Sequence, residues 1–428
     1  MMVFHGEARL RAPKRPVWFG LESIARVCAF LVTLAIGPLL VACQTPAPPP
    51  PPPIIQPPRV VEAPRPPPRI DQPNYFRLRN TPRDVTPVRV AMLLPFNSPS
   101  ADTRAVAEAL EHAAELALFD SGNETVILMP RDDGGTPQRA AAVAAKAIDD
   151  GAEIILGPLF APMAVAVGPV AKPKGVPVIA FSTDRSAGGN GVYLLSFQPE
   201  NEVRRIVTYA AHEGHSSFAA LLPQGAYGDV VRGAFNNAVT GAHGAVTTIQ
   251  TFAEKPEAVG APARAAAMSG ADAILIADGG VTLQAIGPAL VLGGADGRNV
   301  KFLGTGLWDD PAAAREPTLQ GGWFAAPAPE PWRDFANRYR AAYNAAPPRI
   351  ATLAYDAISL VTLLSKGQPY QRFTPAALTD PNGFAGVDGI FRFRSDGSTD
   401  RGLAVLQLTA GGISTVDPAP KSFQGAGF

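Results

Sequence analysis

The sequence contains little cysteine and little charge. Two cysteines occur in 428 residues, and charged side chains make up 17%, against the ~25% of an average globular protein. Basic and acidic side chains number 37 each, so the formal net charge is zero. This balance argues against a protein that holds nucleic acid on a broad basic surface, and we expect no nucleic-acid partner.

Signatures of catalysis are absent too. The sequence has no G-x-S-x-G, no Walker A motif and no G-x-G-x-x-G between a strand and a helix. His212-Glu213-Gly214-His215 differs from the zinc motif H-E-x-x-H, and Ser182-Thr183-Asp184 has no histidine near it in sequence. We therefore predict a protein that is not an enzyme and has no catalytic residues, no metal ligands and no cofactor.

The N-terminus is basic and is followed by an apolar run. Residues 1–26 hold five basic and two acidic side chains, and residues 27–40 contain no charge. This order is typical of an export signal, and the run is shorter than the ~20 residues that a membrane-spanning helix needs. The tetrapeptide Leu40-Val41-Ala42-Cys43, which ends the run, resembles a bacterial lipobox.

The lipobox resemblance implies a signal peptide over residues 1–42, cleavage before Cys43 and lipidation of Cys43. Cys28 would leave with the signal peptide, so the mature chain would have no free thiol for a disulfide, a nucleophile or a metal. Gln44 follows the cysteine, which by resemblance to Gram-negative lipoprotein sorting favours the outer membrane. We expect a lipid-anchored protein on the periplasmic face of that membrane.

Proline is abundant and concentrated. Fourteen of the 45 prolines lie within residues 44–73, a composition that favours polyproline II at about 3.1 Å per residue. We therefore assign residues 43–85 to the lipid anchor and a proline-rich linker. The linker has three alternative roles: a passive spacer, a semi-rigid arm that carries the folded domain away from the membrane, or a ligand for a proline-recognising domain.

Residues 86–428 alternate short apolar runs with alanine-rich amphipathic stretches. This alternation predicts an α/β fold with two doubly wound parallel-sheet lobes and a cleft between them. We place the first lobe at about 86–199 with 327–380, and the second at about 200–326 with 381–428. Predicted strands include residues 88–96, 125–130, 153–156, 176–181, 192–197, 217–222, 245–252, 271–277 and 300–304, and an antiparallel hairpin is predicted from 389–393 and 403–408.

Four segments of this region resemble the type I periplasmic-binding-protein fold, in its leucine/isoleucine/valine-binding branch. They are ILGPLFAPMAVAVGPVAKPKGVPVIAFST, AYGDVVRGAFNNAV, ADAILIADGG and FLGTGLW, at residues 155–183, 226–239, 271–280 and 302–308. Their order and spacing match the family over about residues 85–428. The resemblance implies a cleft between lobes, with the ligand at the carboxyl ends of the strands.

Candidate cleft residues follow from the ends of the predicted strands and from this resemblance. They are Asn97, Phe160, Ser182, Thr183, Tyr227, Asp278, Gly279 and Trp308. The turn Asp132-Asp133-Gly134-Gly135 is typical of a polar strand-to-helix connection, and a cation site or a place at the cleft mouth remains open for it. The tryptophans Trp308, Trp323 and Trp332 fit a core, a ligand platform or a partner surface.

The residues of this chain match the amino-acid site of the family only in part. The family's hydroxyls at the second strand end correspond to Ser182 and Thr183, and its tyrosine corresponds to Tyr227. Its first hydroxyl is replaced by Ala161, and the acid that pairs with the ligand's ammonium falls on Trp308. Since a buried ammonium needs a paired anion, this sequence argues against α-amino-acid binding.

The anchor, the linker and the altered site together resemble the penicillin-binding-protein activators, which are outer-membrane lipoproteins. That resemblance implies a non-catalytic protein that activates or scaffolds a peptidoglycan synthase, with a small polar ligand in the cleft. Its better-known members carry an additional helical-repeat domain that this chain does not match. The alternative is the solute-binding lipoprotein of an amino-acid-type ABC importer.

Overall fold

The computed structural model describes residues 76–78 and 85–424, within a compact unit that spans Pro66–Phe428. The predicted signal peptide, the predicted lipidation site Cys43 and the linker up to residue 75 lie outside the described residues. Within the described part of the chain, no helix combines the length and the apolarity that crossing a bilayer requires.

The first lobe is a parallel sheet with helices on its faces. Its strands are β1 (Val88–Leu94), β2 (Val126–Asp132), β3 (Ile154–Leu156), β4 (Val178–Ala180) and β5 (Val192–Leu194). The connecting helices are α1 (Ala101–Ser121), α2 (Pro137–Asp149) and α3 (Ala161–Ala171). The strand order is β2-β1-β3-β4-β5, so the direction of winding reverses between β1 and β3. Ligands of open α/β sheets bind at such a reversal, outside the carboxyl ends of the strands.

The helices of this lobe begin and end at residues with capping chemistry. Ser100 accepts a hydrogen bond from the Thr103 backbone N–H at 3.3 Å, which satisfies a free donor at the start of α1. Gly122 ends that helix in the left-handed conformation, with φ 59°. Thr136 caps α2, and Pro137 occupies its first position, as the sequence predicts.

The second lobe is a mixed sheet. Its strands are β6 (Ser217–Pro223), β7 (Ala245–Phe252), β8 (Ala273–Ile276), β9 (Lys301–Gly304), β10 (Trp323–Ala326), β14 (Ala404–Thr409) and β15 (Gly412–Asp417). Its helices are α4 (Pro199–His212), α5 (Ala226–Gly241), α6 (Gly260–Ala267), α7 (Gly280–Leu292) and α8 (Pro311–Ala314). The order is β15-β14-β10-β9-β8-β6-β7, with β14 antiparallel to its neighbours β10 and β15. Two α/β lobes built in this way confirm the predicted fold class.

The chain returns to the first lobe between β10 and β14. The returning elements are α9 (Pro329–Tyr343), α10 (Ala351–Leu364), α11 (Pro375–Leu378), β11 (Phe384–Gly386), β12 (Gly389–Phe393) and β13 (Thr399–Arg401). Strands β11, β12 and β13 form a small antiparallel sheet. The predicted hairpin partner of β12, residues 403–408, instead pairs with β10 as β14. The chain turns at Asp396-Gly397 and leads directly into β13, so β13 pairs with β12 in place of residues 403–408.

The buried side chains divide the lobes differently from the sequence-based boundary at residue 381. Phe384, Phe391 and Phe393 lie in one core with strand β1 and helices α1 and α10 of the first lobe. Leu406 and Leu408 lie in a core with Phe302 and Phe324 of the second lobe. The chain therefore crosses to the second lobe for the last time between β13 and β14.

Phe76 fastens the start of the described chain to the first lobe. Its backbone exchanges hydrogen bonds with Leu128 of β2, at 2.7 and 2.9 Å. Its ring lies 6.1 Å from the ring of Phe119 at the end of α1. The linker therefore joins the fold at the outer edge of the first sheet, beside an edge strand.

Candidate functional site

The first lobe brings four predicted cleft residues to one edge of its sheet. Asn97 follows β1, Phe160 follows β3, and Ser182 and Thr183 follow β4, so all four lie at the carboxyl ends of neighbouring strands. The Asn97 backbone N–H donates to Asp132 Oδ1 at 2.9 Å, which ties the ends of β1 and β2 together. Parallel pairing thus gathers residues that are up to 86 positions apart in sequence.

The polar side chains on this edge differ in exposure. Ser182 is buried, and its Oγ accepts a hydrogen bond from the Asp184 backbone N–H at 3.1 Å. Thr183 is exposed, and Phe160 leaves 41% of its side chain exposed at the start of α3. The Ser182 hydroxyl proton and Thr183 are thereby available to a polar group between the lobes.

The second lobe gathers Tyr227, Asp278 and Gly279 at the carboxyl ends of β6 and β8. The Tyr227 hydroxyl lies 3.1 Å from Thr305 Oγ1, beyond the end of β9. Gly228 explains the Tyr-Gly pair, because a Cβ at this position would overlap the carbonyl oxygen of Pro223. Only glycine lets α5 start so close to the end of β6, and this start positions Tyr227.

Asp278 carries an unsatisfied oxygen. Its Oδ1 accepts the Gly279 backbone N–H at 2.6 Å, while its buried Oδ2 has no hydrogen-bond partner among the described residues. Burial raises the pKa of Asp278, the bond to Gly279 lowers it, and the charge of Glu254 raises it again. A cation or a hydrogen-bond donor beside Oδ2 would satisfy this carboxylate.

Glu202 is a buried acid that sequence reasoning missed. It lies in the first turn of α4 and accepts the Gly306 backbone N–H at 2.9 Å, beyond the end of β9. Burial raises the pKa of Glu202 to about 7, against the lowering effect of that hydrogen bond. Burial also raises the pKa of the Tyr227 hydroxyl, and the neighbouring charges of Glu202 and Asp278 add to the rise. The second lobe therefore places two acids, the buried Glu202 and the half-buried Asp278, near the Tyr227 hydroxyl, and burial favours the neutral form of each acid.

Trp308 does not take the cleft position predicted for it. Its ring is fully buried in the core of the second lobe, 6.3 Å from the ring of Phe324. Gly304 and Gly322 leave the space for this ring, since a Cβ at Gly304 would overlap it. The nearest acids are instead Glu202, which bonds to Gly306, and Asp309, which follows the tryptophan.

Apolar side chains surround the polar groups at the strand ends. Phe160 from the first lobe is joined by Val230, Val281 and Leu307 in the first turns that follow β6, β8 and β9. Each is at least 40% exposed. Exposed apolar side chains on both lobes would be removed from water if the lobes closed on a ligand.

Arg349 connects the lobes through two acidic side chains. Its Nε lies 3.7 Å from Asp309 Oδ2 of the second lobe, and its Nη2 lies 2.8 Å from Asp388 Oδ1 of the small sheet. Its guanidinium also covers the ring of Trp332, at 4.6 Å. No sequence signal pointed to this arginine, because its partners lie 40 residues before it and 39 after it.

The predicted site residues provide groups that can bind a polar ligand. The strand ends supply hydroxyls, a carboxylate and an amide, and none of the eight predicted residues is a histidine. Within the described residues, no group of three or more histidine, cysteine, aspartate or glutamate side chains is arranged to hold a metal ion. The Asp132-Asp133-Gly134-Gly135 turn is a polar connection in which Asp133 Oδ1 accepts the Gly135 backbone N–H at 2.8 Å.

Comparisons with known proteins fit this arrangement. A family model described as periplasmic binding protein matches residues 87–412. A branched chain amino acid ABC transporter periplasmic ligand-binding protein from Burkholderia xenovorans has a similar structure, with 21% identity and a TM-score of 0.64 over 78% of this chain and 96% of that chain. A solute binding protein of an ABC transporter from R. palustris, solved with benzoate, has 19% identity and a TM-score of 0.55 over 78% and 97%.

A curated relative matches a shorter stretch. An uncharacterised protein of Rickettsia prowazekii is 24% identical over 172 residues, which are 40% of this chain and 45% of that protein. The match therefore spans less than half of the relative.

Proposed function

The chain belongs to the periplasmic binding protein family, and we propose that it captures a small solute between its two lobes for an ABC importer, without catalysis. Membership of this family indicates a periplasmic location. The observation that carries the proposal is the gathering of polar groups at the strand ends of both lobes. Tyr227 and Asp278 lie on the second lobe, and Ser182 and Thr183 lie at the corresponding edge of the first.

The charges of the site support an amino-acid-type solute. The first lobe offers the Ser182 and Thr183 hydroxyls, which are donors for a carboxylate. The second lobe offers the unsatisfied Asp278 oxygen and the buried Glu202, which favour an ammonium group. In this proposal Asp278 and Glu202 take the role of the acid that falls on Trp308 in the sequence comparison. An α-amino acid needs both kinds of partner, and the exposed Phe160 and Leu307 suit an apolar side chain on it.

A thermal-shift screen tests solute capture. A ligand at about 100 times its Kd stabilises the folded state by about 2.7 kcal/mol, so at least one amino acid or aromatic acid should raise the melting temperature of the purified chain by several degrees. Tyr227→Phe, which removes the hydroxyl bonded to Thr305, should reduce the shift. Tyr370→Phe is the matched control, because Tyr370 lies beside Glu153 at the opposite edge of the first sheet. A flat response across the panel would argue against solute capture.

A second candidate function is activation of a peptidoglycan synthase by a lipid-anchored form of this chain. It is favoured by the fourteen prolines of residues 44–73, which suit a spacer between the membrane and a distant partner. In this role a cleft ligand would adjust lobe closure rather than be delivered to an importer. The purified chain should then bind a penicillin-binding protein from its own cell and raise its transglycosylase or transpeptidase rate. Absence of both effects would exclude this role.

A further inference from the structure

A groove between the lobes lies apart from the predicted cleft residues. It has a volume of about 1170 Å³, which exceeds the ~300–1,000 Å³ of typical small-molecule sites. Its walls come from α8 and the segment after it, from the turn between β14 and β15, and from the first turn of α9 with Arg349. None of the eight predicted cleft residues lines it.

The apolar surface of the groove includes an indole. Trp332 is half-buried in the first turns of α9, and Pro311, Pro317 and Pro329 line the same groove. Tryptophan and proline present flat, rigid apolar surfaces that cost little conformational entropy to cover. This surface suits a flat ring more than a flexible chain.

Two polar atoms of residues that line the groove lack partners. Arg349 Nη1 and Gln320 Oε1 are buried, and neither has a hydrogen-bond partner among the described residues. Buried polar groups are nearly always satisfied, so an unmet donor and an unmet acceptor in one groove point to a ligand that meets them. Arg349 is an anion-binding donor, and Gln320 Oε1 accepts from an N–H or O–H group.

The charges around the groove balance, with Arg315, Arg333 and Arg349 against Asp309, Glu330 and Asp388. Arg333 is paired with Glu330 at 3.2 Å, and Arg349 is close to Asp309 and Asp388. The exposed Arg315 also lines the groove. An anion entering here would meet three guanidinium groups, of which those of Arg333 and Arg349 already face the three carboxylates Glu330, Asp309 and Asp388.

We propose that this groove is a second binding site, for a flat carboxylate that carries a hydrogen-bond donor. Its carboxylate binds Arg349, its ring packs on Trp332 and its donor reaches toward Gln320. Because Arg349 also lies 3.7 Å from Asp309, a carboxylate bound to the arginine competes with the contact between the lobes. Occupancy of the groove is thereby coupled to lobe closure, and through lobe closure to the binding of solute in the cleft.

Calorimetric titration of the full chain with 4-hydroxybenzoate tests the second site. The probe has a carboxylate, a ring and a hydroxyl donor, and we expect Trp332→Leu to weaken its binding at least tenfold. Arg349→Met should weaken binding similarly. Because this variant leaves Asp388 without its partner and could fail to fold, Trp332→Leu provides the second test. Arg298→Met is the matched control, since Arg298 is exposed in the second lobe and pairs only with Asp296.

The cleft variant separates this site from solute capture. Tyr227→Ala should leave binding of 4-hydroxybenzoate to the groove unchanged, even where it abolishes the response to an amino acid. Loss of probe binding in Tyr227→Ala together with full binding in Trp332→Leu would overturn the proposal and place the probe in the cleft. Absence of binding at about 10 mM probe, or an equal loss in Arg298→Met, would overturn it as well.

Discussion

At the scale of single residues, Glu202 makes the stability of the fold depend on pH. Its pKa is about 7 in the folded chain because the carboxyl is buried, against about 4.5 in an unfolded chain. The folded state therefore binds more protons than the unfolded state between these values. The stability associated with Glu202 falls by roughly 3 kcal/mol as the pH rises through this window.

Replacement of Glu202 by glutamine should flatten this dependence. Glutamine retains an oxygen for the Gly306 backbone N–H but has no charge, so we expect Glu202→Gln to be more stable than the wild type at about pH 8 and equal to it near pH 4. Urea unfolding at several pH values measures the difference. The exposed Glu257→Gln is the control. A residual slope is expected in both proteins, because burial also raises the pKa of Asp356 to about 7. Parallel curves for Glu202→Gln and the wild type would contradict the assignment.

The residues of the candidate site differ in whether the sequence alone could locate them. Ser182 and Thr183 directly follow the apolar run of β4, and a strand places such residues at its carboxyl end, whereas Tyr227 was assigned from the family resemblance; their role in binding a ligand stays a prediction. Glu202 and Trp308 could not be located from the sequence, because their positions depend on how α4 approaches β9 and on the space left by glycine. Packing in the folded chain decides which side chain is buried and which faces the cleft, and a single sequence does not contain that information.

At the scale of elements, the start of α5 depends on Gly228. Gly228→Ala should push the helix away from the Pro223 carbonyl, displace Tyr227 and lower stability by about 1–3 kcal/mol. Gly233→Ala is the matched control in the same helix, since a Cβ there meets nothing within 4 Å, and it should stabilise the protein by about 0.5–1 kcal/mol. Chemical denaturation gives both values. If Gly228→Ala stabilised the protein and Gly233→Ala destabilised it, this account of the Tyr-Gly pair would be refuted.

Helices and strands with a clear hydrophobic period or a capping residue could be predicted from the sequence, whereas the pairing of strands distant in sequence could not. The strands and helices of both alternating rounds follow periodicity and caps, as at Ser100 and Pro137. Strand β10, at Trp323–Ala326, has four residues and was not predicted. Because this partner of β14 was missing, β14 was paired instead with β12, the nearest predicted strand in sequence.

At the scale of the whole molecule, the predicted lipid anchor can be tested directly. Cys43→Ala should abolish incorporation of labelled palmitate and release the chain from the membrane fraction, because the anchor accounts for membrane attachment. Cys28→Ala should leave both unchanged, since Cys28 lies in the predicted signal peptide. Labelling that survives in Cys43→Ala, or disappears equally in both variants, would reject the anchor.

The attachment of Phe76 to Leu128 decides where a mechanical load enters the molecule. A pull on the linker reaches the outer edge of the first sheet through two backbone hydrogen bonds and one aromatic contact. The force acts on the first lobe alone and does not pass through the crossings after β5, β10 and β13. With the linker held at the predicted anchor, the first lobe would be the fixed body, and the second lobe would be connected to the linker through those three crossings.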